Sequence, residues 1–506
     1  LKQGIVYLIG AGPGDPGLIT VKGRDCLRRA EVVVYDYLAN PALLAEAPPE
    51  AERIFVGKTR GQHHTPQPQI NALLVERAQR GQVVARLKGG DPYVFGRGGE
   101  EAEELVAAGV PFEVVPGISA GFAAAAYAGI PLTHREFTTS LGLVTGHENP
   151  EKKVSNLDWQ KLATGVGTLV FYMGMTNLAL IAEQLMANGR DPQTPVAVIR
   201  WGTTPQQQTV TATLGDVVEK VAAAGLKPPA VIVIGEVVRL RDKLRWFDQR
   251  PLFGRKVLVT RSPQQAYSLA GLLQTAGAEA ICLPTVEIAP PSSWKELDAA
   301  ISELAATDYL VLTSANGVSA FFERLSAAGL DGRSLQGVTI VAVGPKTASA
   351  IAEHGLRADL IPQRYQAEGI VELLQQRSLK GKRILYPRSA SARDLLCTEL
   401  RKSGAEVRAP VAYRTKPAAD GAARLQELLS GEKLDAVTFT SASTVEHCLA
   451  LLAPHEVDCL DKAVIAAIGP LTAAAARKHG LTVDIEPNEA TCEALVEALG
   501  NYFQKN

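Results

Sequence analysis

Between Arg86 and Glu101 the sequence reads RLKGGDPYVFGRGGEE, with five glycines set among Asp91, Arg97, Glu100 and Glu101. The segment follows the strand-like run Val83-Val84-Ala85-Arg86-Leu87. Glycine lacks a Cβ, so such a loop reaches unusual dihedrals and lets a ligand approach the backbone. The charged side chains beside it offer hydrogen bonds and ion pairs to that ligand. A surface turn needs fewer charges than this, and the pattern reads as a binding loop. A second glycine loop, Gly10-Ala-Gly-Pro-Gly-Asp-Pro-Gly17, follows the apolar run Ile5-Val6-Tyr7-Leu8-Ile9.

The elements that must position these loops are legible around them. A helix is expected over Thr20–Ala30 with Thr20 as N-cap. A strand, Glu31-Val-Val-Val-Tyr35, then delivers Asp36 at its carboxyl end. Such strand–loop–helix–strand units bind ligands at the carboxyl ends of their strands. Gly12-Pro-Gly14-Asp-Pro-Gly17 with Asp36 also fits a nicotinamide-binding fingerprint. Against that reading, Pro13 and Pro16 remove amide donors from the loop that would cradle a pyrophosphate.

Bulk properties set the frame. A chain of 506 residues, 46% hydrophobic, implies about three or four domains with packed cores. A formal charge of −1 carries no global nucleic-acid signal. No apolar run reaches the roughly 18 residues of a membrane helix, and the N-terminus enters a strand directly, so neither a membrane span nor a secretory leader is expected. The six cysteines lack CxxC spacing and the histidines lack HExxH. Free thiols in a reducing cytosol and no metal site are therefore expected.

The segment 246–254, with Pro251 and Gly254, breaks the strand–helix rhythm and reads as a linker. Beyond it lies a diverged repeat with a period near 126 residues. Lys256-Val-Leu-Val-Thr-Arg-Ser262 returns at 382–389, Asp308-Tyr-Leu-Val-Leu-Thr-Ser-Ala-Asn316 at 435–443, and Ile340-Val-Ala-Val-Gly-Pro-Lys-Thr-Ala348 at 465–473. Two copies are too few for a solenoid, and two similar α/β lobes facing a cleft are expected. Each copy sets Thr-Ser and Gly-Pro-x-Thr between an apolar strand and a helix. There hydroxyls and helix-terminal amides together suit anions, while helix capping alone explains each site taken singly.

The motifs GAGPGDPGLIT, VYDYL, VGKTRG, GGDPYVFGRGGEE and VPGISA resemble, in order and spacing, the uroporphyrinogen-III C-methyltransferases, over about residues 4–240. The resemblance implies residues 1–245 as an S-adenosylmethionine-dependent methyltransferase of two α/β lobes, cytosolic and homodimeric through this half. It implies cofactor contacts from Pro13, Gly89, Gly90, Asp91, Val94, Ser119, Ala120, Met173 and Gly202. It casts Asp36 as proton acceptor and Lys58 as proton donor, with Arg97, Glu100 and Arg135 holding the substrate or serving its proton chemistry. Arginines suit a polycarboxylate because their planar fork pairs carboxylates bidentately. Plainer roles stand beside these: a turn cap for Asp36, a solvated charge for Lys58, core packing for Met173, and a structural ion pair for Arg97 and Glu100.

TSANGV (313–318), VGPKTA (343–348), VAYRT (411–415), FTSASTV (439–445) and IGPLTA (468–473) resemble uroporphyrinogen-III synthase over about residues 255–500, implying 255–506 as that domain. That resemblance implies one lobe of about 255–286 plus 416–506 and another of about 287–415. It places Tyr413 beside the cleft, assisting departure of a hydroxyl, and makes Ser314, Thr347, Ser441, Ser443 and Thr472 ligand-facing. The implied whole is a bifunctional enzyme. It closes hydroxymethylbilane to uroporphyrinogen III with inversion of the last ring, then methylates it twice to precorrin-2, which feeds cobalamin and sirohaem synthesis. The two matches fill the chain, so no domain for oxidation and iron insertion is expected. Three other readings stay open: methylation of a later corrin intermediate, a nicotinamide-dependent oxidoreductase in the first half, and a non-catalytic tetrapyrrole-binding module in the second.

Overall fold

The structure, a computed structural model, describes residues 4–57, 65–147, 157–260, 263–283, 286–417, 421–431, 433–452, 457–460 and 462–505. Lys58 lies outside the described residues. The chain forms two compact units. One comprises Leu1–Val257, Gly271–Ala280 and Val496–Asn506; the other comprises Leu258–Ala270 and Ile281–Leu495.

The first unit is built on two five-stranded sheets. Strands β1 (Ile5–Gly10), β2 (Val32–Tyr35), β3 (Glu52–Phe55), β4 (Val83–Lys88) and β5 (Phe112–Val115) run parallel in the order β3-β2-β4-β1-β5. The central strands read as near-continuous Val, Leu and Ile because helices cover both faces of a parallel sheet. The helix predicted after β1 spans Val21–Leu27, and Thr20 caps it by accepting Gly23 N at 3.1 Å.

The second sheet contains β6 (Leu141–Thr145), β7 (Thr168–Tyr172), β8 (Pro195–Arg200), β9 (Gln208–Thr213) and β10 (Ala230–Ile234), in the order β6-β7-β10-β8-β9. Only β6 and β7 pair in parallel. The short hairpin between β8 and β9 makes an antiparallel pair the natural local outcome.

The segment expected as a linker is packed into this unit. Phe247 is 3% exposed and Leu252 fully buried, and the Phe247 ring meets Tyr127, Trp246 and Phe253. Trp246 Nε1 donates to Ala126 O at 3.0 Å. Leu252 N donates to Ala276 O at 2.9 Å, and the Arg255 guanidinium lies 4.4 Å from the Phe503 ring centroid. These contacts draw residues 271–280 and 496–506 into the first unit. Aromatic residues interleaved with Pro251 and Gly254 break the secondary-structure rhythm without leaving the core.

The remaining strands are β11 (Lys256–Val259), β12 (Glu279–Cys282), β13 (Val286–Ala289), β14 (Tyr309–Leu312), β15 (Thr339–Ala342), β16 (Arg383–Leu385), β17 (Arg388–Ser389), β18 (Glu406–Arg408), β19 (Val411–Pro417), β20 (Ala436–Phe439) and β21 (Val464–Ala467). They form three sheets, ordered β12-β11-β20-β21, β15-β14-β16-β18 and β13-β19-β17. The internal repeat is visible at the level of single hydrogen bonds. Asp359 Oδ2 accepts Ile340 N at 2.7 Å, and Asp484 Oδ2 accepts Ile465 N at 2.8 Å. Isolated parallel bridges Val341–Leu360 and Ala466–Ile485 follow in the same places.

Candidate functional site

Glycine brings three of the loops that leave the carboxyl edge of the first sheet into backbone contact. Gly12 and Gly90 exchange both hydrogen bonds, Gly12 N to Gly90 O at 3.2 Å and Gly90 N to Gly12 O at 2.7 Å. A Cβ on Gly10 would stand 2.4 Å from Gly117 Cα and 2.7 Å from Gly90 O. One on Gly117 would stand 2.3 Å from Gly90 O, so no larger residue fits either place. Asp91 stitches the junction: its Oδ2 accepts Gly117 N at 2.9 Å and its Oδ1 accepts Tyr93 N at 2.8 Å.

The second sheet completes the same region. Tyr172, at the end of β7, places its hydroxyl 2.8 Å from Ser119 Oγ and accepts Gly121 N at 2.9 Å. Burial pushes this phenol above its ordinary range. The backbone after β8 meets the first glycine loop, where Thr203 Oγ1 accepts Asp15 N at 2.9 Å. Asp15 Oδ2 in turn accepts the Tyr127 hydroxyl at 2.7 Å. Burial and Asp15 together hold Tyr127 far above the usual phenol range.

The residues predicted as cofactor contacts meet around this junction. Pro13, Gly89, Gly90, Asp91 and Val94 lie on the two glycine loops, and a Cβ on Gly90 would stand 3.8 Å from Ala120 N and 3.9 Å from Ser119 Cα. Gly202 packs on Ala124, where a Cβ would come within 2.4 Å of Ala124 Cβ. Met173 directly follows Tyr172 and is 51% exposed, which removes the expectation that it serves as core packing. Phe95, Arg97, Met173, Trp201 and Thr203 all have positive φ, between 49° and 73°. Left-handed backbone at a non-glycine residue costs about 1–3 kcal/mol and concentrates at functional sites. They lie on the 89–97 loop and on the segments that follow β7 and β8.

The proposed acid–base groups divide. Asp36 sits just past β2; its Oδ1 accepts Leu38 N at 3.1 Å, a turn cap, while its Oδ2 faces Arg86 NH2 at 3.4 Å. Arg97 and Glu100 form an exposed bidentate pair at 2.9 and 2.6 Å, which lowers the carboxyl of Glu100 and raises the guanidinium. Arg135 is exposed in the turn closed by His134 N to Thr138 O at 3.1 Å, and it makes no ion pair among the described residues. Arg86, Lys88 and Tyr172 were not singled out from sequence. Their signal was a charge or hydroxyl inside an apolar strand.

In the second unit Tyr413, on β19, places its hydroxyl 3.0 Å from Ser314 Oγ. Ser314 also caps the helix Ala315–Ala327 by accepting Gly317 N at 3.0 Å. Beside them Tyr386, which the motifs did not mark, is 4% exposed and lies 3.4 Å from Thr313 Oγ1. Ser441 caps Ala442–Leu449 in a reciprocal box with Thr444, and its Oγ lies 2.9 Å from Ser443 Oγ. Thr347 and Thr472 occupy matching first-turn positions of Pro345–Glu353 and Pro470–Lys478, each 4% exposed. Gly344 and Gly469, which precede those helices, supply no side-chain cap. Tyr413 and Ser314 are thus brought together, while Thr347, Ser441, Ser443 and Thr472 make no hydrogen bond to that pair among the described residues.

Residues 5–218 match the family described as tetrapyrrole (corrin/porphyrin) methylases, and residues 267–497 match uroporphyrinogen-III synthase HemD. The chain is 36% identical over 499 residues to the porphyrin biosynthesis protein HemD of Ruminiclostridium josui, covering 99% of this chain and 98% of that one. It is 44% identical over 340 residues to the uroporphyrinogen-III C-methyltransferase of Bacillus subtilis (strain 168), covering 66% of this chain and 68% of that one. Among solved structures, the uroporphyrin-III C-methyl transferase of Thermus thermophilus complexed with S-adenyl homocysteine shares 41% identity and a TM-score of 0.40. The match covers 46% of this chain and 99% of that one.

Proposed function

We infer, because this chain belongs to the family of the porphyrin biosynthesis protein HemD, that it is a bifunctional enzyme of tetrapyrrole biosynthesis. Its second part cyclises hydroxymethylbilane to uroporphyrinogen III. Its first part methylates that product twice, using S-adenosylmethionine, to precorrin-2. The observation that carries this reading is the presence of both family matches in one chain that spans nearly the whole of a porphyrin-biosynthesis relative. Fusion is chemically coherent because the product of one part is the substrate of the other.

The glycine junction suits S-adenosylmethionine, since bare backbone at Gly90 and the first turn of the helix after Ser119 leaves room for close approach. The bound cofactor supplies an electrophilic methyl group on a good leaving group. The loops hold the pyrrole carbon in line, which contributes about 7–11 kcal/mol at most. Asp36 takes the proton that the methylated ring releases, and Lys58 donates one. Arg135, and Arg97 when it exchanges Glu100 for substrate, hold the substrate's carboxylates. In the second part the hydroxyls of Tyr413 and Ser314 assist departure of the hydroxyl group, and the cleft orients the chain ends.

The proposal includes division into a methyltransferase over 1–245 and a synthase over 255–506, cytosolic residence, and a homodimer through the first part. Among the described residues no helix is long and apolar enough to cross a membrane. Sedimentation at micromolar concentration separates a 53.8 kDa monomer from its dimer.

Hydroxymethylbilane with labelled S-adenosylmethionine in one pot tests both activities. A doubly labelled product on the type III skeleton is expected. Type III product without label removes the methyltransferase reading, and labelled product confined to supplied uroporphyrinogen III removes the synthase reading.

A further inference from the structure

The central strand of the first sheet buries two cations on one face. Arg86 and Lys88 are two residues apart on β4, so the strand's period of two points them the same way, and both are 3% exposed. Glu101, fully buried in the first turn of the helix Gly98–Ala107, answers both. Its Oε1 accepts Lys88 Nζ at 2.8 Å, Arg86 Nε at 3.1 Å and Gln67 Nε2 at 3.1 Å. The rest of the Arg86 guanidinium spreads outward. NH1 donates to Leu87 O at 3.2 Å and Val34 O at 3.5 Å, and NH2 faces Asp36 Oδ2 at 3.4 Å.

Stability alone does not account for this arrangement. Replacing buried ion pairs by apolar residues of similar volume is often neutral or stabilising. Among the described residues Glu101 Oε2 is also buried with no hydrogen-bond partner, a loss that a purely structural network would avoid. The placement suggests another purpose. Lys88 immediately precedes Gly89, and Glu101 lies just beyond the far end of the 89–97 loop, so their ion pair closes the loop at its base. Arg86 ties the same carboxylate to Asp36.

We propose that Arg86, Glu101 and Lys88 are one positioning unit that fixes Asp36 against the cofactor loop, Arg86 orienting the carboxylate and Lys88 the loop. The proposal rests on Asp36 being the proton acceptor. Only arginine suits the first position, because one planar, permanently charged group reaches Glu101, two carbonyls and Asp36 at once. Burial lowers the proton affinity of the Lys88 amine, and Arg86 beside it lowers it further. Glu101 works against both.

The test is steady-state methylation of uroporphyrinogen III by the full chain. Arg86→Lys keeps charge but loses the fork, and it should lower kcat by about 10- to 10²-fold, the scale of a misplacement near 1 Å. The KM for S-adenosylmethionine should stay within about 2-fold. Lys88→Met should instead raise that KM, with a smaller change in kcat. In the Asp36→Asn background, Arg86→Lys should change kcat by less than about 2-fold, because coupled residues are not additive. Should Arg86→Lys fail to fold, the charge-balanced Arg86→Met/Glu101→Gln variant replaces it in the same cycle. A full, multiplicative loss in the Asp36→Asn background overturns the positioning role and leaves Asp36 as base. Unchanged kcat in Asp36→Asn alone overturns the proton-acceptor reading and this proposal with it.

Discussion

Gly117→Ala tests whether the junction of the three loops is what holds the cofactor site together. The added Cβ would lie 2.3 Å from Gly90 O, 2.6 Å from Gly10 Cα and 2.8 Å from Gly10 C. All three neighbours are backbone, so no side chain can swing aside. Carbon contacts relax near 3.5–4.0 Å, so the loop after β5 must withdraw from β1 and the 89–97 loop by about 1 Å. Overpacking of this kind costs about 1–3 kcal/mol, and rigid neighbours place it at the upper end. For a unit of this size each kcal/mol moves Tm by about 2–4 °C, so a fall of roughly 6–12 °C is expected. Withdrawal also breaks the Gly117 N to Asp91 bond, and misplacement by 1 Å costs on the order of 10²-fold in methyl transfer. The assay pairs differential scanning calorimetry with calorimetric titration of S-adenosylhomocysteine. Gly99→Ala is the control, since nothing lies within 4 Å of its Cβ. At a helical position with ordinary φ it should gain about 0.4–1 kcal/mol. A Gly117→Ala protein with the control's stability and unchanged ligand affinity would refute the interlock.

Three further outcomes are expected. Tyr413→Phe removes the hydroxyl 3.0 Å from Ser314 and should slow type III cyclisation by about 10²-fold, with methylation of supplied uroporphyrinogen III unaffected; product isomers are resolved by chromatography. Tyr172→Phe leaves the buried Gly121 N–H without its acceptor and should destabilise by about 1–3 kcal/mol, read in urea melts. Asp216 pairs with Lys220 and accepts both the amide and hydroxyl of Thr213, which together push its carboxyl down from 3.8 to about 2. A depressed carboxyl stabilises the fold above its unfolded pKa, and the contribution disappears as pH falls through the folded one. The Tm difference between wild type and Asp216→Ala should therefore be full at pH 7 and shrink between pH 4 and pH 2.

Local order in this protein was legible without coordinates. Thr20 announced a helix start because its hydroxyl needs only an amide three residues on. The valine runs announced buried strands and the repeat pointed to two similar α/β lobes, while the matching roles of Asp359 and Asp484 appeared only in the structure. Glycine in the loops signalled close approach, since nothing else explains so many residues without side chains.

What tertiary structure decided were partnerships across sequence distance. Gly10, Gly90 and Gly117 meet only because strand order sets β4 and β5 on either side of β1. Arg86 and Lys88 look like solvated charges until β4 proves central, and Arg86 meets Asp36 across 50 residues because β2 is its neighbour. Tyr413 finds Ser314 across 99 residues. The aromatic stretch at 246–254 lost strand and helix periodicity, yet packed, because ring contacts require no period. Periodicity reports which face of an element is buried. Only the assembled sheet determines what that face is buried against, and chemistry at this site depends on the second.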